Sequence, residues 1–168
     1  GLAPRPALAA TAVVPRRNSD SAWGIVSPCG VAGSPRPLLS TVAPGGAALA
    51  HFERLAVPLE SWQGSAAGLV ALGGRSGVRV RFFGLPMCAL GDARVRSNDL
   101  YYDARVTVER ARGPRDSARL SHVVTRYPRR GRRWTRHCTP CPYREVCGGV
   151  FRAYLERFGD DEIRPIHG

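Results

Sequence analysis

The residue pattern predicts an α/β protein: a parallel βα segment, then a small, Cys-rich and loop-rich metal-binding extension that ends in a helix. Three observations carry this expectation. Short apolar runs, a helically spaced stretch and the alternating "GVRVRFFGLP" follow one another in the first half of the chain, and strand–helix–strand order implies parallel strands. Beyond Pro86 the texture turns polar and rich in turn-forming residues. Within that second half, "RHCTPCPYREVCGG" places Cys138, Cys141 and Cys147 close together in a chain of five cysteines.

Taken in order, "LAATAVV" (8–14) and "AWGIVSP" (22–28) are short apolar runs bounded by turn residues, and both read as buried strands. Leu49, Phe52, Leu55 and Ala56 fall at helical spacing, and Pro58 then breaks or kinks that helix. Val78, Val80 and Phe82 alternate with Arg79, Arg81 and Phe83, the pattern of a strand ending at Gly84. In the second half, "ARVTVER" (104–110) reads as a short exposed strand. Val150, Phe151, Tyr154, Leu155 and Phe158 fall at helical spacing, with Gly159 well placed as the residue that ends the helix. A region with so little core of its own needs a staple.

At 168 residues the chain suits one domain with an appendage, and 43% hydrophobic residues support a sizeable core. No apolar run approaches the roughly 20 residues that span a bilayer. With no secretory pattern at its start either, the chain is read as cytoplasmic, with no membrane partner. The net charge of +12 invites a nucleic-acid reading. However, all 25 basic residues are Arg, which a GC-rich coding sequence produces without selection for binding. No helix-turn-helix, RNP or zinc-finger pattern accompanies the charge, so nucleic acid is not the expected partner. The densest basic run, "RYPRRGRRWTR" (126–136), reads as a solvated loop or a grip for something anionic.

An odd number of cysteines without a secretory signal argues against a disulfide framework. Cys138 and Cys141 form a C-x2-C pair and Cys147 follows as C-x5-C, so three thiols can face one centre. Tetrahedral zinc prefers two separated pairs, and Cys88 stands alone in "GLPMCALG". A [4Fe–4S] cube has four separated corners and accepts three clustered thiolates with one distant one. Spacing leans towards iron–sulfur and leaves zinc open. Four thiolates around a core of charge about +2 leave a site of about −2, which a rim of Arg136, Arg144 and the 126–133 run would stabilise.

"FFGLPMCALGD", "SNDLYYDARV" and "RHCTPCPYREVCGGVFRAYLERFGDDEIRPI" together resemble the C-terminal part of radical SAM enzymes. In that family a partial (β/α) barrel is followed by a SPASM or twitch extension holding an auxiliary [4Fe–4S] cluster. The similarity is strongest over 78–166 and looser over 1–77. It implies a barrel portion at 1–85 and a cluster-binding extension at 86–168. Cys88, Cys138, Cys141 and Cys147 would be the ligands, Gly148 would allow the turn behind the last of them, and Tyr143 and Val146 would pack over the cluster or its loop. Cys29 matches no ligand position and reads as a core or loop thiol.

The departures matter as much. The C-x3-C-x2-C motif that binds the SAM-cleaving cluster is absent, and there are thiols for one auxiliary cluster. The chain begins with Gly1, and the expectation is a C-terminal segment of a longer enzyme. An N-terminal radical SAM half would then supply S-adenosylmethionine chemistry. The implied function is electron transfer or substrate positioning by the auxiliary cluster, with a peptide or other anionic substrate. The competing reading is a zinc-stapled, non-enzymatic binding module with an Arg-rich surface. Asp99, Tyr101, Tyr102 and Asp103 are candidates for a pocket near the cluster. Asp160, Asp161 and Glu162 read as a solvated acidic turn, and His51, His122, His137 and His167 form no triad.

Overall fold

A computed structural model describes residues 10–31, 36–101, 105–110, 119–124 and 131–167. It is mixed α/β, built on a three-stranded parallel sheet of order β1 (Thr11–Val14), β2 (Leu38–Thr41), β3 (Arg81–Phe83). Thr11 pairs with Leu38, and Leu38 with Arg81. Each strand lies beside its predecessor, and parallel neighbours require a crossover on one face. Helix α1 (Ala22–Val31) supplies the first crossover. The second comprises two one-turn helices, α2 (Ala47–Ala50) and α3 (Phe52–Leu55), and the long α4 (Leu59–Arg75).

The segment 22–28, expected as a strand, is helical. Ala22, Val26 and Cys29 are buried, and their spacing of four and three residues is helical, a period the short apolar run had obscured. Pro28 lies inside the helix, costing the bond to the carbonyl four residues back without ending it. The helically spaced segment 49–56 is split at His51 into α2 and α3 and ends at Leu55. Pro58 therefore lies in a break rather than a kink, immediately before α4. Leu59, Trp62, Ala66, Leu69 and Gly73 then form one buried stripe.

As expected, Val78, Val80 and Phe82 face inward. The Trp62 and Phe82 rings meet edge to face at 6.1 Å between centroids, fixing α4 on the sheet. Each such fully buried side chain is worth about 1.5–3 kcal/mol relative to exposure. The polar texture after Pro86 conceals ordered structure. A kinked 3-10 stretch (Met87–Arg96) buries Met87, Ala89, Leu90 and Ala93, and it packs against α4. A single apolar core therefore includes Val14, Leu39 and Leu69 from one side of Pro86 and Leu90, Val150 and Ile163 from the other.

The predicted strand at 104–110 is β4 (Arg105–Arg110), and its antiparallel partner, β5 (Arg119–Val124), was not anticipated. A lone strand leaves a ladder of backbone groups unpaired, and that requirement implied a partner. A two-residue pairing of β6 (Arg132–Arg133) with β7 (Val150–Phe151) closes the Cys-rich segment. Helix α5 (Arg152–Phe158) starts later than read from the sequence, since Val150 and Phe151 pair as β7, but it ends as read, at Gly159, whose φ of 73° suits glycine. Among the described residues no helix is long and apolar enough to cross a membrane.

Candidate metal centre

Cys88 sits at the start of the 3-10 stretch that leaves β3, on the turn after Leu85 and Pro86. Cys138 ends a short 3-10 turn (Arg136–Cys138). The Cys138 carbonyl accepts the Cys141 N–H at 3.2 Å, and the Cys141 carbonyl accepts that of Arg144 at 3.1 Å. The Tyr143 carbonyl accepts the N–H of Cys147 at 2.8 Å. These successive turns curl the chain so that the three thiols are presented to Cys88. All four line one cavity, together with Met87, Trp134, Tyr143, Arg144, Ile163 and Arg164.

The thiols feel one another. The Cys88 thiol is pushed up to about 12, first by burial and then by the neighbouring Cys147, Cys138 and Cys141 sulfurs. Burial also raises Cys147, while the backbone N–H groups of Met87 and Gly149 pull the other way. Those groups donate to its sulfur at 3.5 and 3.4 Å. Cys29 lies elsewhere, in the apolar core, where its thiol donates to the Ile25 carbonyl at 3.1 Å. This agrees with its reading as a core thiol. Among the described residues no group of three or more His, Cys, Asp or Glu is arranged to hold a metal ion. The four cysteines form a shared wall rather than a finished coordination shell.

The loop behind Cys147 is held by a feature that residue spacing did not reveal. Asp99 and Arg132 form a buried ion pair, 3.3 Å apart with each side chain 1% exposed. Asp99 Oδ2 also accepts the N–H of Gly148 at 2.9 Å. Arg132 lies over the Phe83 and Phe151 rings at 5.4 and 4.9 Å. Breaking such a pair from one side leaves an uncompensated buried charge, at a cost of about 3–5 kcal/mol.

Several expectations change accordingly. Asp99 does not face the cavity but stands behind its Cys147 wall. Arg132 is not part of a solvated rim, whereas Arg144 and Arg164 do line the cavity. Arg133 and Arg136 line a neighbouring open groove instead, and residues 126–130 lie outside the described set. Gly148 matters for space rather than turn geometry: a Cβ there would collide with Arg132 Nη1 and come within 2.7 Å of Asp99 Oδ2. The positive φ, 80°, belongs to Gly149.

Tyr143 lines the cavity, with Arg94 over its ring at 5.3 Å. Val146 is 48% exposed and does not line it. Tyr101 is exposed with Arg81 stacked at 3.9 Å, and Tyr102 and Asp103 lie outside the described residues. The acidic turn is also partly structural: Glu162 Oε2 accepts from Tyr154 Oη at 2.9 Å and from the Glu60 N–H at 3.1 Å. Asp160 pairs with His137 at 3.5 Å. No family model, curated protein or solved structure matches the chain.

Proposed function

We propose that Cys88, Cys138, Cys141 and Cys147 hold an auxiliary [4Fe–4S] cluster in the C-terminal segment of a radical SAM iron–sulfur oxidoreductase. One observation carries the reading: four thiols, with Cys88 and Cys147 far apart in sequence, line one apolar cavity. An all-thiolate, water-poor donor set suits soft, iron–sulfur coordination. Such a cluster, when bound, would supply a one-electron site, consistent with accepting or relaying an electron or with positioning a substrate.

The chain's own residues do the rest. Cys88 and the 138–147 loop would present the thiolates, while Met87, Tyr143 and Ile163 would exclude water. Arg144 and Arg164, lining the same cavity, would offset the negative charge of four thiolates. The strand order β1–β2–β3 suits a portion of a partial barrel, with the segment after residue 86 as the cluster-binding extension. The C-x3-C-x2-C motif is absent from the chain, so S-adenosylmethionine cleavage is assigned to another part of a full-length enzyme. A peptide or other anionic substrate, and a cytoplasmic setting, complete the proposal.

Anaerobic reconstitution with iron and sulfide tests it. The expected product is brown, absorbs at about 400 nm and carries about four irons and four sulfides per chain. Cys141→Ser should lose most of both. One tightly held zinc with no visible band would overturn this reading in favour of a zinc-stapled binding module, and failure to bind either would overturn both.

A further inference from the structure

We propose that Asp99, held by Arg132, is the positioning residue of the Cys147 corner, and that the other thiols of the loop are set independently of it. The proposal rests on the cluster reading for its purpose, though not for its geometry. The backbone around Cys147 is held at successive points. Its N–H donates to the Tyr143 carbonyl at 2.8 Å, and its carbonyl accepts from Trp134 Nε1 at 3.2 Å. The Gly149 N–H turns back to the Cys147 sulfur at 3.4 Å. Between these, the Gly148 N–H leaves the loop and ends on Asp99 Oδ2, 49 residues away in sequence.

That contact is directional because its acceptor cannot drift. Arg132 Nη1 reaches both Asp99 oxygens, at 3.4 and 3.3 Å, and Phe83 and Phe151 flank the guanidinium. Gly148 has no room for a side chain between them. Rotating the 147–149 backbone would strand the buried Gly148 N–H and cost Asp99 Oδ2 one of its two donors, so Asp99 constrains the backbone that carries the Cys147 sulfur. Cys138 and Cys141, in contrast, are set by local turns through Thr135, Cys138 and Cys141 carbonyls. No contact from Asp99 is needed there.

The test is site-resolved alkylation of the reduced, metal-free protein, read by mass spectrometry. In Asp99→Ala the rate at Cys147 should rise on the order of tenfold. Part of that rise follows from losing the Asp99 charge that disfavours the thiolate, so Gly148→Ala is the deciding variant. Rates at Cys138, Cys141 and Cys29 should stay within about twofold of the parent. Asp99→Asn, which keeps an oxygen for the Gly148 N–H, should fall between. Gly148→Ala disturbs the same contact with both charges retained and should reproduce the selective rise, which keeps the question open to an answer if Asp99→Ala fails to fold.

An unchanged Cys147 rate in Gly148→Ala would overturn the proposal, whatever the Asp99 variants show. So would an equal rise at Cys29, which would mean general loosening. Selective Cys147 exposure in a protein that takes up no iron would refute the cluster reading and leave the positioning role standing.

Discussion

The two halves of the chain are held by different physics. From β1 to β3 the cohesion is apolar and repetitive: the buried stripe of α4 lies on Val80 and Phe82, and no single contact defines the arrangement. From Cys88 onward the same apolar core continues through Leu90, Val150 and Ile163, but singular polar contacts are added to it. Asp99 meets Gly148, and Tyr154 Oη accepts the Leu59 N–H at 3.0 Å. The first kind loses stability in proportion to the volume removed, because neighbouring groups relax only partly into the space. The second fails at individual positions, because a buried polar group without its partner keeps its full desolvation penalty. The cavity lined by the four cysteines is thus built on the less redundant half and braced against the more redundant one.

The largest expected effect tests that bracing. Phe82→Ala should cost about 3–5 kcal/mol, read as a shifted urea midpoint. Because one core includes residues on both sides of Pro86, protection of Cys29 and of Cys147 from alkylation should fall together. Loss of Cys29 protection with Cys147 still shielded would show two separate folding units and break the comparison as drawn. A smaller loss, about 1–3 kcal/mol, is expected for Gly149→Ala. There a Cβ at positive φ would also come within 2.6 Å of the Arg133 carbonyl. Cys147 should be exposed by this change and Cys29 should not; equal exposure of both would remove the distinction between a redundant and a singular half.

This difference also explains what could be read in advance. Periodicity is a local signal, so β1, the inward alternation of Val78, Val80 and Phe82, and α5 with its Gly159 stop were legible. It misled at 22–28, where a run too short to display its period resolved into a helix with Pro28 inside it. The clustering of Cys138, Cys141 and Cys147 was visible as spacing, and the structure places them with Cys88 along one cavity. Asp99 and Arg132 left no such trace. A lone Asp in a polar loop and one Arg of 25 basic residues carry no mark of burial, and they meet only because a short 3-10 turn (Asn98–Tyr101) lying against β3 converges with β6. Glu162 was obscured in the same way by its acidic neighbours.

The smallest expected effect sharpens the comparison at the seam between the halves. The first N–H groups of α4 have no partners within the helix; Leu59 donates to Tyr154 Oη and Glu60 to Glu162 Oε2. Tyr154→Phe removes the hydroxyl that joins these two contacts, and should cost about 1 kcal/mol at neutral pH, the usual worth of a helix cap. The phenol is held protonated above its ordinary pKa of 10.0, first by burial and further by Glu162, although the Leu59 N–H opposes the shift. A raised folded-state value means that the contribution is fully present below about pH 10. It declines above that, as the unfolded chain releases a proton that the folded chain retains. The parent's advantage over Tyr154→Phe should therefore be constant from neutral pH to about 9 and shrink beyond about 10, measured as the difference between urea midpoints. An advantage that persisted or grew with alkalinity would mean that the hydroxyl titrates freely in the folded protein. The seam would then rest on Glu162 and the apolar contact of Tyr154 with Phe158, whose ring centroids lie 4.7 Å apart.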